Sequence, residues 1–141
     1  MRRLNRRAWQ WILAALFIVA GANHFVNPEP YVLMMPRKLP APQLLVDLSG
    51  IAEMLGGLGL LFRPVRAAAA WGLIVLLVAV FPANLNVALH GWPGTNLPAW
   101  SLWLRLPFQF VFIWWIYRVC LAGEGASRPA SAKETSPRPL D

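Results

Sequence analysis

Glu53 is the residue in this chain whose type and position point most directly to chemistry. It lies inside an apolar run from Leu44 to Phe62, whose only other ionisable residue is Asp47, near the start of the run. A carboxylate near the middle of a bilayer costs several kcal/mol unless it is paired, hydrated or protonated. Glu53 therefore predicts a buried polar site in which a carboxyl group can exchange a proton.

A basic residue in another apolar run is the expected partner of this acid. Arg105 and Gln109 are four residues apart, so they share one face of a helix. A bidentate contact between a guanidinium and a carboxylate offsets much of the desolvation of both ions. We therefore expect Glu53 to pair with Arg105, directly or through Gln109 or a water molecule. Ser49 lies one helical turn before Glu53 and extends the same face.

Polar residues lie in the same half of all four apolar runs, with Asn23, His24 and Asn27 closest to the outer surface. A rise of about 1.5 Å per residue places Glu53 and Gln109 roughly 13 Å, and Asn84 and Arg105 roughly 7 to 9 Å, from the same end of the predicted helices. The predicted cluster, a buried polar or ligand-binding site, consists of Asn23, His24, Asn27, Ser49, Glu53, Asn84, Arg105 and Gln109. Within it, Glu53 and His24 are the candidates for proton exchange. The opposite halves of the runs are almost purely apolar.

The elements that position these residues are four apolar runs in a chain of 141 residues, of which 57% are hydrophobic and 13% charged. A helix needs roughly 20 mostly apolar residues to cross the hydrocarbon layer. Four segments are long enough, namely about Ala8–Val26, Leu44–Phe62, Ala67–Leu89 and Trp100–Leu121. The sequence predicts an all-α fold, an integral membrane four-helix bundle in residues 1–122, with a disordered cytoplasmic tail in residues 123–141. A soluble protein with four core helices is the alternative.

The net charge of +7 follows the pattern of membrane topology, and it does not indicate a nucleic-acid partner. Most basic residues precede the first run, fill the second connection or follow the fourth run: Arg2, Arg3, Arg6, Arg7, Arg63, Arg66, Arg118, Arg128, Lys133 and Arg138. Only Arg37, Lys38 and Arg105 fall on the other side. Because positive segments stay inside, we expect a multi-pass protein of the inner (plasma) membrane with both termini in the cytoplasm. A cleaved signal peptide ending near Ala22 is the alternative for the N-terminus.

Prolines mark two further features near the predicted cluster. The apolar segment Tyr31–Met35 lies among five prolines and is too short to span a membrane, so it is either a lid or a passive interfacial segment. Pro82 and Pro107 interrupt the third and fourth runs and leave the Val78 and Trp103 carbonyls without their usual partners. Such interruptions occur at binding sites, and they also occur as ordinary packing kinks.

Cysteine and histidine placement limits the available cofactor chemistry. Cys120 is the only cysteine, so the chain can form neither an intramolecular disulfide nor a Cys-x-x-Cys relay. His24 and His90 are far apart, and Glu53 lies deeper than either, so no metal site is expected. The residues themselves predict no evident cofactor.

Several segments taken together resemble the DoxX-like family of four-helix membrane proteins: Gly21–Phe25, Pro28, Tyr31, Ser49–Gly57, Phe81–Asn84 and Arg105–Gln109. The similarity covers nearly all of the chain except its basic start and its tail. It implies association with a membrane oxidoreductase complex, because the family takes its name from a subunit of a thiosulfate:quinone oxidoreductase. A distant eukaryotic branch is associated instead with the assembly of receptor proteins. The cysteine pair of some redox-associated relatives is absent here, which argues against thiol chemistry.

Three functional hypotheses follow. In the first, the protein interacts with quinone or is an accessory subunit of a membrane oxidoreductase complex, and a partner subunit supplies the redox centre. Arg105 would then hold a quinone carbonyl or an anion, and Gln109 and Asn84 would orient it. In the second, the polar cluster is structural and the protein is a membrane assembly or scaffold factor without catalytic activity. In the third, it is a permease for a small solute or a proton.

Overall fold

The computed structural model describes residues 3–36 and 38–122, and within these ranges the chain is all-helical, with no strand. Its α-helices are α1 (Arg3–Val26), α2 (Glu29–Met34), α3 (Pro42–Leu61), α4 (Arg66–His90) and α5 (Ala99–Ile116), and a π-helical turn (Tyr117–Leu121) continues α5. The predicted all-α class is confirmed. The predicted tail, residues 123–141, lies outside the described residues.

Proline and glycine fix the helix boundaries. Pro42 begins α3. Proline is favourable at this position because the first N–H groups of a helix have no intrahelical acceptor, so the absence of an N–H costs no hydrogen bond. Ala41, the residue before it, adopts a left-handed backbone conformation with φ of 47°. At the end of α4, Gly91 adopts a φ of 81°, which ends the helix at little steric cost. The helices continue through Pro82 in α4 and Pro107 in α5.

The four long helices alternate in direction and form an up-down-up-down bundle. The closest approach joins α1 to α3, where a Cβ added at Gly21 would lie 2.5 Å from the Gly50 carbonyl oxygen. The next glycine along this contact, Gly57, packs against the Ala14 carbonyl oxygen. Small residues allow helix backbones to approach this closely.

One half of the bundle is a dry apolar core, which we call the packed half. All four long helices and the π-helical turn contribute side chains to one apolar cluster. Four of these side chains are at most 1% exposed: Leu13, Leu60, Leu73 and Ile116. At its end, Nε of Arg6 donates a hydrogen bond of 2.6 Å to the carbonyl oxygen of Val119 in the π-helical turn. This contact joins the start of α1 to the π-helical turn at the end of the packed half.

The outer faces of the long helices are also apolar. Four helices are long and apolar enough to cross a membrane: Asn5–Val26, Pro42–Leu61, Arg66–His90 and, with the π-helical turn, Ala99–Leu121. Large apolar side chains such as Trp11, Val75 and Trp114 are more than half exposed. Soluble monomers rarely expose apolar surface on every long helix.

Candidate functional site

The other half of the bundle, which we call the polar half, contains a cavity of about 200 Å³. Its polar lining comes from α1, α2, α3, α4 and α5, through His24, Tyr31, Ser49, Glu53, Asn84 and Arg105. The remaining wall is apolar: Met34, Met35, Val46, Leu77, Val80 and Ala83. The structure thus brings five of the eight predicted cluster residues, His24, Ser49, Glu53, Asn84 and Arg105, to one cavity.

His24 is buried and is held by α3. Its Nδ1 lies 3.1 Å from the Val46 carbonyl oxygen and 3.0 Å from Oγ of Ser49, and Ser49 Oγ donates a 2.8 Å hydrogen bond to the same carbonyl. Because the serine proton is already used, the arrangement is satisfied when Nδ1 carries a proton and donates it. The second ring nitrogen, Nε2, then points toward Glu53.

Glu53 lies beside His24, and one of its oxygens has no partner. Oε1 is 3.9 Å from His24 Nε2, which is within ion-pair range but too long for a hydrogen bond. Oε2 is buried and has no hydrogen-bond partner among the described residues. The side chain is only 15% exposed, so this unsatisfied oxygen carries a substantial desolvation cost.

The predicted direct contact between Glu53 and Arg105 is absent among the described residues, and Gln109 does not bridge the two side chains. In the described part of the chain, Glu53 lies within ion-pair distance of His24 alone, whose ring is charged only when it is protonated. The Arg105 guanidinium instead lies 4.0 Å from the centre of the Trp92 ring. A cation over an indole face is attracted by the ring quadrupole, so the tryptophan stabilises the charge without an acid. Both ionisable side chains therefore face the cavity without neutralising each other.

Trp92 is a site residue that the sequence interpretation missed. It follows α4 in a loop, at a depth where tryptophan is common because its ring suits the membrane interface, so its type alone does not mark it as a site residue. In the structure its Nε1 donates a 2.9 Å hydrogen bond to the Pro30 carbonyl oxygen at the start of α2. The ring is thus fixed between α2 and Arg105. No spacing pattern relates Trp92 to Arg105, so only the fold brings them together.

Gln109 supports the cavity wall without lining the cavity. Its Oε1 accepts a 2.9 Å hydrogen bond from Asn84 Nδ2, and its Nε2 donates to the Leu77 carbonyl oxygen. This acceptor lies one residue before Val78, whose carbonyl was expected to be freed by Pro82. The buried amide therefore fixes the orientation of Asn84 and joins α5 to α4 beside the proline.

The short helix α2 forms one wall of the cavity. The Tyr31 ring lies 3.9 Å from the His24 ring between centroids, and its hydroxyl accepts a 2.7 Å hydrogen bond from Asn23 Nδ2. On the other side, Asn86 Nδ2 donates to the Met34 carbonyl oxygen at 3.1 Å. Asn23 itself does not line the cavity, but its hydrogen bond holds the hydroxyl of Tyr31, which does.

The last member of the predicted cluster, Asn27, is exposed, and the structure assigns no contact of its side chain to the cavity. Among the residues that the structure describes, no group of three or more His, Cys, Asp or Glu side chains could hold a metal ion. The site is thus an acid and imidazole pair, an arginine and a polar amide around a small cavity.

Comparison with known proteins gives one family. The profile of a family described as a domain of unknown function (DUF8561) matches residues 13–120, a range that includes every residue lining the cavity. No curated protein and no solved structure matches the chain.

Proposed function

The chain belongs to the DUF8561 family, and we propose that this member is an integral plasma-membrane protein that binds the headgroup of a quinone in the polar cavity. It would act as an accessory subunit of a membrane oxidoreductase complex. The motifs that resemble the DoxX-like family favour the same assignment.

Insertion in a membrane is supported by the apolar outer faces of all four long helices. The charged side chains support one orientation. Arg6, Arg63, Arg66 and Arg118 lie at the end of the packed half, whereas Lys38 lies in the loop beside the polar half. By the positive-inside rule the packed half faces the cytoplasm, and both termini are cytoplasmic. The cavity then opens toward the outer side of the membrane.

The size of the cavity supports a ligand of about one ring. An apolar cavity of about 150 Å³ in another protein holds one benzene molecule, and pockets for drug-sized ligands begin at about 300 Å³. The cavity here has about 200 Å³. It therefore matches a single substituted ring, such as the head of a quinone.

The observation that carries the proposal is the pair of ionisable groups that face one cavity without forming an ion pair, Glu53 and Arg105. A buried carboxylate oxygen without a partner is unfavourable in a purely structural role. A quinone would use both groups, because the guanidinium of Arg105 can donate a hydrogen bond to one ring oxygen. The Glu53 and His24 pair can release or take up a proton at the other oxygen.

Reduction of a quinone to a hydroquinone consumes two electrons and two protons. We assign the electrons to a partner subunit. Protons would pass between the ring oxygen and Glu53, with His24 as the neighbouring acceptor or donor. His24 is suited to this role because Nδ1 is fixed by Val46 and Ser49, which leaves Nε2 on the side of the acid.

A titration with the chainless quinone 2,3-dimethoxy-5-methyl-1,4-benzoquinone tests the proposal, with quenching of tryptophan fluorescence as the signal. We expect saturable binding by the purified protein and binding weakened about tenfold or more in Arg105→Met, because a hydrogen bond to a charged donor contributes about 1.5–3 kcal/mol. Arg118→Met is the matched control. Arg118 also lies over a tryptophan ring, that of Trp114, at 5.9 Å, but at the other end of the bundle.

Saturable binding that is equal in both arginine variants would contradict the assignment of Arg105, and no saturable binding by the unaltered protein would overturn the quinone proposal. The latter result would favour the assembly or scaffold function, for which the network of Asn84, Gln109 and the Leu77 carbonyl is the supporting observation. A permease is less well supported, because Leu13, Leu60, Leu73 and Ile116 fill the packed half.

A further inference from the structure

A second cavity, which we call the seam groove, lies between α3 and α4. It has a volume of about 250 Å³ and is lined only by apolar residues: Ala52, Leu55, Gly56, Ala69, Gly72 and Leu73. Ala52, Leu55 and Gly72 are exposed on the outer face of the bundle. The groove is therefore accessible from the surface on which lipid would lie.

The seam groove follows the polar cavity along the same pair of helices. On α3, Ala52 lines the groove and its neighbour Glu53 lines the polar cavity. On α4, Leu73 lines the groove and Leu77, one helical turn later, lines the polar cavity. The two spaces are thus about one helical turn apart along α4, one polar and inside the bundle, the other apolar and on its surface.

The polar cavity and the seam groove suit different parts of a ligand. The polar cavity, at about 200 Å³, accepts about one ring and leaves no room for a long chain. A quinone anchored in a membrane by an isoprenoid or alkyl chain needs that chain to lie outside the polar cavity. The seam groove is lined by Ala52, the neighbour of Glu53 in α3, and has no polar lining, so it offers the chain an apolar surface next to the polar cavity.

We propose that the seam groove binds the apolar chain of the same ligand whose ring occupies the polar cavity. The ligand class is then an amphiphilic lipid, a quinone with an isoprenoid or alkyl chain that leaves the bundle between α3 and α4 at Ala52. This inference rests on the proposed function, which it narrows from a ring to a ring with a chain. A second copy of this protein is the competing occupant, because small residues also pack helices of two subunits together.

A substitution at Gly72 tests whether the seam groove binds a chain. A Cβ added at Gly72 meets no atom within 4 Å, so a substitution there starts in open space, and a leucine adds its bulk at the lining of the groove. Gly56 is unsuitable, because a Cβ there would lie 2.5 Å from the Leu73 side chain. Ala15 is exposed on α1, which does not line the groove, and Ala15→Leu therefore serves as the control for an added leucine.

The experiment measures the affinity of two ligands, the chainless benzoquinone and the same ring with a decyl chain, for three proteins: unaltered, Gly72→Leu and Ala15→Leu. Partition of the decyl compound into detergent is the same in all three samples, so differences between proteins report the groove. We expect Gly72→Leu to weaken binding of the decyl compound about tenfold, since each buried methylene contributes strongly to affinity. Binding of the chainless ring should stay unchanged, and Ala15→Leu should match the unaltered protein.

Three results would overturn the inference. Equal affinity of the decyl compound for Gly72→Leu and the unaltered protein would show that no chain occupies the groove. An equal loss of affinity for the decyl compound and for the chainless ring in Gly72→Leu would also show that the groove does not bind the chain. A change confined to oligomeric mass, measured by light scattering, would assign the groove to a second copy. If neither ligand binds the unaltered protein, the proposed function itself fails, and this outcome is distinct from the other three.

Discussion

The packed half and the polar half are built from the same four helices but are filled in opposite ways. Around Leu13, Leu60, Leu73 and Ile116, apolar side chains from neighbouring helices exclude solvent almost completely. At the other end, the same helices carry ionisable and amide groups around an open volume of about 200 Å³. The difference separates a half whose side chains hold the bundle together from a half that retains open volume.

The two halves also differ in the kind of buried polar atom that lacks a hydrogen-bond partner among the described residues. In the part of the chain that the structure describes, the indole N–H of Trp9 is buried without a partner in the packed half, at a ring that packs edge-on against Trp115. In the polar half the corresponding atom is an oxygen of the Glu53 carboxyl group, and burying that group as an unpaired charge would cost far more than burying a neutral N–H. The larger cost falls on the half that contains the cavity, as expected where function opposes stability.

The largest expected effect comes from opening a void in the packed half. Leu60→Ala should lower the free energy of unfolding by about 2–5 kcal/mol, because the surrounding side chains cannot close the space that it leaves. Leu77→Ala is the matched change beside the polar cavity and should cost less, since that side chain already borders open volume. Unfolding by SDS from dodecylmaltoside micelles measures both values. An equal or larger loss for Leu77→Ala would erase the contrast between the halves.

A smaller effect is expected where α1 meets α3. Gly21→Ala would place a methyl group 2.5 Å from the Gly50 carbonyl oxygen, so the helices have to separate, at a cost of about 1–3 kcal/mol. Gly72→Ala adds the same methyl group in open space and should be neutral or slightly stabilising. Thermal unfolding in detergent compares the two. If Gly21→Ala melts like the unaltered protein, the close contact contributes little to the bundle.

The sequence predicted the helices well because apolar length and terminal prolines are local signals. It also predicted that polar residues of all four helices gather in one half, since depth follows from counting residues along each helix. His24, Ser49 and Glu53 do meet there. Depth alone does not specify how each helix is rotated, and this is why Gln109 lies behind the cavity wall and Asn27 is exposed.

The pairing of charges could not be predicted for the same reason. Glu53 was expected to pair with Arg105 because a carboxylate–guanidinium contact offsets the desolvation of both ions. The fold instead places His24 beside the acid and Trp92 beneath the guanidinium. The short helix α2 was also missed as a helix, because six residues among prolines carry no helical periodicity. It supplies Tyr31 to the cavity.

The central claim, that the polar half is arranged for a ligand and not for its own stability, is tested most directly by the unfolding free energy of Glu53→Gln without added quinone. We expect a value within about 1 kcal/mol of the unaltered protein, or higher, because Oε2 has no partner to lose and the neutral amide is cheaper to bury. Asp47→Asn on the same helix is the control for loss of a carboxylate. A loss of about 3 kcal/mol or more in Glu53→Gln alone, the cost of breaking a buried ion pair, would contradict the account and make Glu53 a structural residue.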